Sequence, residues 1–190
     1  MKFSAALLTS AALALSVQAH FTLDYPEARG EFDEDNEGKF CGGQTTIGDR
    51  EPFPLQDGLI EIDSHHPSFT GTVFLSNSTN PTSFDDFVQI LPWFKLEGAG
   101  TFCLPLDLAS TNASVSDGQN VTIQFVYDGG DSPLYQCADL QLARQFTVNV
   151  NCTNSTSSST SQGSGDAAFA LGAPFYALAG LLVGGFALLA

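Results

Sequence analysis

Three histidines, His20, His65 and His66, supply every imidazole in the chain, and their setting suits them to hold a metal ion. His20 follows Val17-Gln18-Ala19, the small-x-small pattern that signal peptidase accepts, after a leader with Lys2 near its start and an apolar run from Ala5 to Leu15. Cleavage after Ala19 makes His20 the first residue of the mature chain. Its α-amine, with a pKa of about 8, and its imidazole Nδ1 then close one chelate ring on a single ion. One further imidazole completes three nitrogens in a T, which suits the tetragonal preference of Cu(II). His65 and His66 stand in Ile62-Asp63-Ser64-His65-His66-Pro67, just past a predicted strand, where a sandwich displays functional loops. The plain alternative is a solvated surface pair and an N-terminal histidine left by chance.

Other chemistries fail on inventory. With His20 at the metal, only His65 is spare for a Ser-His-Asp arrangement. Glycine-rich phosphate loops are missing, and Cys41, Cys103, Cys137 and Cys152 are better used as two disulfides than as a zinc site. Asp85 and Asp86 are adjacent, and on a strand they point to opposite faces, which does not suit a glycosidase. Six Lys or Arg against twenty-one Asp or Glu give a net charge of −15, which repels nucleic acid and attracts cations. Five of the acids, Glu31, Asp33, Glu34, Asp35 and Glu37, share one loop. They are either a solvated charge run or a means of drawing cations, or a transporter, toward the metal.

The ends dictate the compartment. A Ser/Thr/Gly/Gln-rich stretch over 155–164 precedes small residues at Ser164, Gly165, Asp166 and Ala167 and an apolar tail from Phe169 to Ala190 with no basic residue after it. This is the signal for a GPI anchor attached at Ser164 or Gly165; a C-terminal transmembrane helix would normally carry a basic flank. The expected organisation is a signal peptide over 1–19, one folded domain over 20–152, a linker over 153–165 and a removed propeptide over 166–190. Sequons at Asn77, Asn112, Asn120, Asn151 and Asn154 agree with a secretory route to the outer face of the plasma membrane or the cell wall.

The elements that must position the histidines read as strands. Gly58–Asp63 and Gly71–Ser76 read as strands, and Asn120–Tyr127 and Arg144–Val150 alternate apolar and polar residues at period two. Turns at Gln56-Asp57-Gly58, Ser116-Asp117-Gly118 and Asp128-Gly129-Gly130 separate them. An all-β antiparallel β-sandwich with long loops is the expected class. The four cysteines allow three pairings and the sequence does not choose among them; Cys41–Cys137 with Cys103–Cys152 is the working assignment. Trp93, the single tryptophan, sits in the apolar Ile90-Leu91-Pro92-Trp93-Phe94 and is expected in the core.

The start His20-Phe21-Thr22-Leu23-Asp24-Tyr25-Pro26, the Cys41-Gly42-Gly43 element, Asp63-Ser64-His65-His66-Pro67 and Gln136-Cys137-Ala138-Asp139 together resemble a fungal family. This is the histidine-brace family related to lytic polysaccharide monooxygenases, whose members serve as GPI-anchored copper-acquisition factors. The likeness runs from His20 to Cys152. It implies an immunoglobulin-like β-sandwich and one Cu(II) per chain, held by the amine and imidazole of His20, by His66 (His65 in reserve) and by Asp139 as an oxygen ligand. It places Tyr135 beside the disulfide. It implies a protein that binds copper for uptake. The expected partner is a transporter or metalloreductase, the chain is expected to be a monomer, and the acidic charge sets nucleic acid aside. Alternative readings are a copper-dependent polysaccharide monooxygenase and a structural cell-wall glycoprotein.

Overall fold

The computed structural model describes residues 20–157; the expected signal peptide, the anchor attachment site and the apolar tail lie outside them. The described chain forms ten strands: β1 (Phe21–Tyr25), β2 (Glu51–Pro54), β3 (Gly58–Ser64), β4 (Ser68–Ser76), β5 (Val88–Gln89), β6 (Phe94–Glu97), β7 (Ala99–Leu106), β8 (Asn120–Asp128), β9 (Pro133–Ala143) and β10 (Ser155–Ser157). The only helical turns among the described residues are short 3-10 segments, two of them in the acidic loop. Asp85 and Asp86 fall in another, not on a strand, and Asp86 accepts from the amides of Thr82 and Ser83 as a cap.

Two sheets face each other. One has the order β1-β3-β7-β10, the other β2-β9-β8-β4-β5, with β6 also paired to β4. All pairings are antiparallel except that of β2 with β9. Alternate residues of β3 (Ile60, Ile62) and of β8 (Val121, Ile123, Phe125, Tyr127) meet in a shared core with Phe21, Phe69 and Leu140. Each large apolar side chain enclosed there contributes about 1.5–3 kcal/mol. At the end of the core nearest His20, Tyr127 lies between Phe21 (centroids 4.8 Å apart, planes at 6°) and Phe69 (4.6 Å, 20°).

Two expectations are corrected. Arg144–Val150 is not a strand. β9 ends at Ala143, and the chain then leaves the sheet and carries Cys152 to Cys103 on the opposite sheet, so the alternating residues find no partner strand. Trp93 is not in the core but 53% exposed. Ile90 and Phe94 take the inward positions around it, and Trp93 sits in the crossing between β5 and β6. The disulfides are Cys41–Cys137 and Cys103–Cys152.

The loop over 26–50 crosses the outer face of the second sheet, which is why β8 is buried on both faces. Cys41 (φ 50°), Gly42 (φ 64°) and Gly43 (φ 82°) form a run of left-handed backbone. A Cβ on Gly42 would lie 3.0 Å from the Tyr135 carbonyl, and one on Gly43 2.8 Å from Asn36 Cβ. The Cys-Gly-Gly element is therefore a tight bend that seats Cys41 against β9 and folds the acidic stretch back along it.

Candidate metal centre

β1 and β3 pair so that Phe21 faces Ser64, which leaves His20 and His65-His66 at one end of the ladder. The His65 amide donates to the His20 carbonyl at 2.9 Å and continues that pairing by one step. The two adjacent histidines then separate. His65 is exposed and its Nε2 lies 3.2 Å from Asp63 of β3. His66 is partly buried, and its Nδ1 lies 2.7 Å from the Ser68 carbonyl. A carbonyl only accepts, so in the neutral ring Nδ1 carries the proton and Nε2 the lone pair. This fixed tautomer is typical of a ligating histidine.

Beneath them, the Tyr127 hydroxyl and Ser64 Oγ are 2.7 Å apart, and Ser64 Oγ donates to the His66 carbonyl at 3.3 Å. Burial raises the Tyr127 phenol, so it stays protonated through the neutral range.

His20 meets two acids from the loop. Its Nδ1 is hydrogen-bonded to Glu37 Oε2, and its Nε2 lies 2.8 Å from Glu34 Oε1. Burial alone lowers the imidazole, but the bonds and charges of Glu37 and Glu34 outweigh it and hold His20 above its ordinary value. Glu37 is pushed up by burial, which the His20 contact offsets only in part. Two anchors fix this loop: the Tyr135 amide donates to the Glu37 carbonyl at 2.8 Å, and Cys41 is bonded to Cys137 four residues further on. Tyr135 also packs on Phe84, with centroids 4.7 Å apart.

Asp139 lies elsewhere. It faces Thr122 across β8 and β9, five register positions from the Tyr127–Leu134 pair, roughly 17 Å of strand. Its carboxylate accepts from Arg29 Nη2 (2.6 Å) and Nε (2.8 Å), Thr122 Oγ1 (2.7 Å) and the Gly48 amide (2.9 Å). Asp139 and Arg29 are both buried. The structure thus sets Glu34 and Glu37 against His20, puts His65 and His66 at the same end of the β1–β3 ladder, and leaves Asp139 as one half of a buried ion pair. Among the described residues no three His, Cys, Asp or Glu side chains are gathered as a metal site by themselves.

Glu37 was not singled out from the four acids around it. The available signal was its distance of four residues from Cys41, which ties it, and not Glu31, to β9.

A family model described as copper acquisition factor BIM1-like matches residues 18–157. The chain belongs to this family. One relative, the copper acquisition factor BIM1 of Cryptococcus neoformans var. neoformans serotype D, is 46% identical over 162 residues, covering 80% of this chain and 73% of its own. Another, the lytic polysaccharide monooxygenase-like protein X325 of Yarrowia lipolytica, is 32% identical over 161 residues, covering 78% of this chain and 59% of its own. Among solved structures, an AA10 lytic polysaccharide monooxygenase from Streptomyces lividans aligns with a TM-score of 0.48 at 12% identity, over 64% of this chain and 99% of that one. Membership in the copper-acquisition-factor family agrees with the resemblance carried by the His20, Cys41-Gly42-Gly43 and His65-His66 motifs.

Proposed function

We propose that the processed chain captures one Cu(II) through a histidine brace at the outer face of the plasma membrane and serves copper acquisition. The α-amine and Nδ1 of His20 and Nε2 of His66 are the three nitrogens. The observation that carries this reading is the His66 tautomer: its Nδ1–H is held by the Ser68 carbonyl, beside the residue that would be the mature N-terminus. Relatives named as copper acquisition factors support copper as the cargo. The GPI signal supports surface placement, with a transporter or metalloreductase receiving the ion.

The residues fit the ion. Cu(II) favours imidazole and amine nitrogen in a tetragonal plane, and a carboxylate beside that plane stabilises Cu(II) over Cu(I). Acids packed on His20 therefore favour holding the ion over activating oxygen with it. Trp93 does not revive the polysaccharide reading. The Gly98 amide, just past β6, donates to the Pro67 carbonyl, and Trp93 lies five residues away beyond the other end of that strand, roughly 17 Å.

The test is a Cu(II) titration of the processed protein with electron paramagnetic resonance, beside a form carrying one extra residue before His20. One tight site that is lost with the extension is expected. Equal weak binding by both forms would remove the brace and leave a structural wall glycoprotein. Ascorbate-driven peroxide and sugar-oxidation assays then separate capture from catalysis.

A further inference from the structure

The chain leaves the sandwich along a fixed path. Cys152 is bonded to Cys103, and the Asn154 side chain accepts from the Cys103 amide at 2.8 Å. β10 then pairs antiparallel with the start of β7, Ser155 facing Thr101 and Ser157 facing Ala99. Two glycines make room for it. A Cβ on Gly100 (φ 123°) would lie 2.0 Å from the Ser155 carbonyl, and one on Gly98 (φ 109°) 3.0 Å from Thr156 Cβ. On its other side β7 pairs with β3, Gly100 facing Ser64, and the Gly98 amide donates to the Pro67 carbonyl at 2.7 Å. β10 therefore runs toward the pole of the sandwich that carries His20, His65 and His66.

The opposite pole carries sugar-acceptor sites. Asn120 opens β8, eight register steps from Asp128, roughly 27 Å. Asn77 follows Ser76, which faces Thr122, and its Oδ1 accepts from Gln119 Nε2 at 3.0 Å. Asn112 follows the turn Leu108–Ser110, past the end of β7 where Leu106 faces Gly58. All three are exposed and begin sequons. N-linked glycans are bulky and hydrated, so they belong on a face turned to water. Asn151 and Asn154 stand on the segment leading to β10 and favour neither pole.

We propose that the anchored protein stands with its histidine pole toward the membrane and its glycan pole outward, and so presents its ion to a receiver embedded in the lipid. This rests on the surface anchor proposed above and not on the brace. The reach of the tether decides the direction. Ser164 lies seven residues beyond Ser157, about 25 Å at full extension. From Ala99 back to Leu106 is seven steps the other way, roughly 24 Å. Turning the glycan pole to the lipid would hold the tether near full stretch along the domain, at a cost in chain entropy. The histidine pole demands no such stretch. The acids near His20 do not oppose it, because the anionic lipids that would repel them belong to the cytoplasmic leaflet.

The experiment reconstitutes the GPI-anchored protein in vesicles that contain a lipid carrying an energy-transfer acceptor. A donor dye is attached through an azide-bearing phenylalanine in place of Asp131 or of Gln56. Asp131 is exposed in the β8–β9 turn at the histidine pole, and Gln56 is exposed just before β3 at the other. The donor lifetime should be shorter at Asp131. Equal lifetimes, or a shorter one at Gln56, would overturn the proposal. G100V, which denies β10 its place on β7, should bring the two lifetimes together. Should G100V fail to fold, a flexible Gly/Ser spacer inserted after Ser157 should do the same. A difference undiminished by both changes would overturn the tether as its cause. A phosphatidylinositol-specific phospholipase C applied to cells reports the anchor separately. Protein that it does not release removes the anchor and the proposal together; released protein with equal lifetimes removes the orientation alone.

Discussion

His66 gives its Nδ1 proton to the carbonyl of Ser68, two residues ahead, at 2.7 Å, whereas its neighbour His65 turns to Asp63 at the surface. On the proposed brace, this difference gives His66 the ligand's part and leaves His65 at the surface. His66→Ala should lower Cu(II) affinity by more than the ~10–100-fold typical of outer-sphere changes. His65→Ala removes only an exposed contact with Asp63 and should stay within about fivefold of the wild type. Calorimetric titration of both variants checks this, and a larger loss in His65→Ala would exchange their roles.

The strands around this site were largely legible because period-two alternation follows from one buried face: Ile60 and Ile62 point into the core, as do Ile123 and Phe125. Arg144–Val150 carries the same alternation, but a strand also needs a neighbour with free backbone groups, and a local pattern does not say whether one is there. Trp93 failed for a related reason, since an apolar segment crossing an edge buries only some of its members. The sequence names His20, His65 and His66 as candidates, and the fold sets them at one end of the β1–β3 ladder. The setting of the carboxylates was not legible, because only the fold shows what lies opposite each: an imidazole for Glu37, the Arg29 guanidinium for Asp139.

The Arg29–Asp139 pair predicts a structural phenotype. Burial by itself raises Asp139, but the bonds from Arg29, Thr122 and Gly48 overcome it and hold the carboxyl below its ordinary value. A depressed carboxyl contributes stability that is complete above its unfolded pKa of about 3.9 and is lost as pH falls through the lower, folded one. Asp139→Asn should cost about 3–5 kcal/mol, because it leaves Arg29 charged and buried. It should also flatten the acid side of the stability profile below about pH 4. Chemical denaturation across pH measures both, and the folded variant should keep the wild-type copper spectrum.

Tyr127 predicts a smaller coupled effect. Its ring is fixed by Phe21 and Phe69, and its hydroxyl partners Ser64, which in turn holds the His66 carbonyl. Tyr127→Phe keeps the stacked rings and removes only the hydroxyl, so thermal unfolding should register a loss of about 1–3 kcal/mol. Copper affinity should fall by less than in His66→Ala, since the ligand remains and only its support loosens.

The two disulfides should come apart experimentally. Cys103–Cys152 joins β7 to the segment after β9, and near it the Asn154 side chain accepts from the Cys103 amide at 2.8 Å; none of these groups touches the histidines. Cys41–Cys137 instead fastens the acidic loop to β9. With sequence separations of 49 and 96, chain entropy gives their removal similar costs, about 4 to 5 kcal/mol each. Copper should distinguish them. Replacing Cys103 and Cys152 together by serine should lower the melting temperature and leave Cu(II) affinity near the wild type in the folded protein. Replacing Cys41 and Cys137 should lower both, because the loop that holds Glu37 against His20 loses one of its two anchors. Equal copper affinities in the two double variants would mean that the Tyr135–Glu37 backbone bond positions the loop unaided.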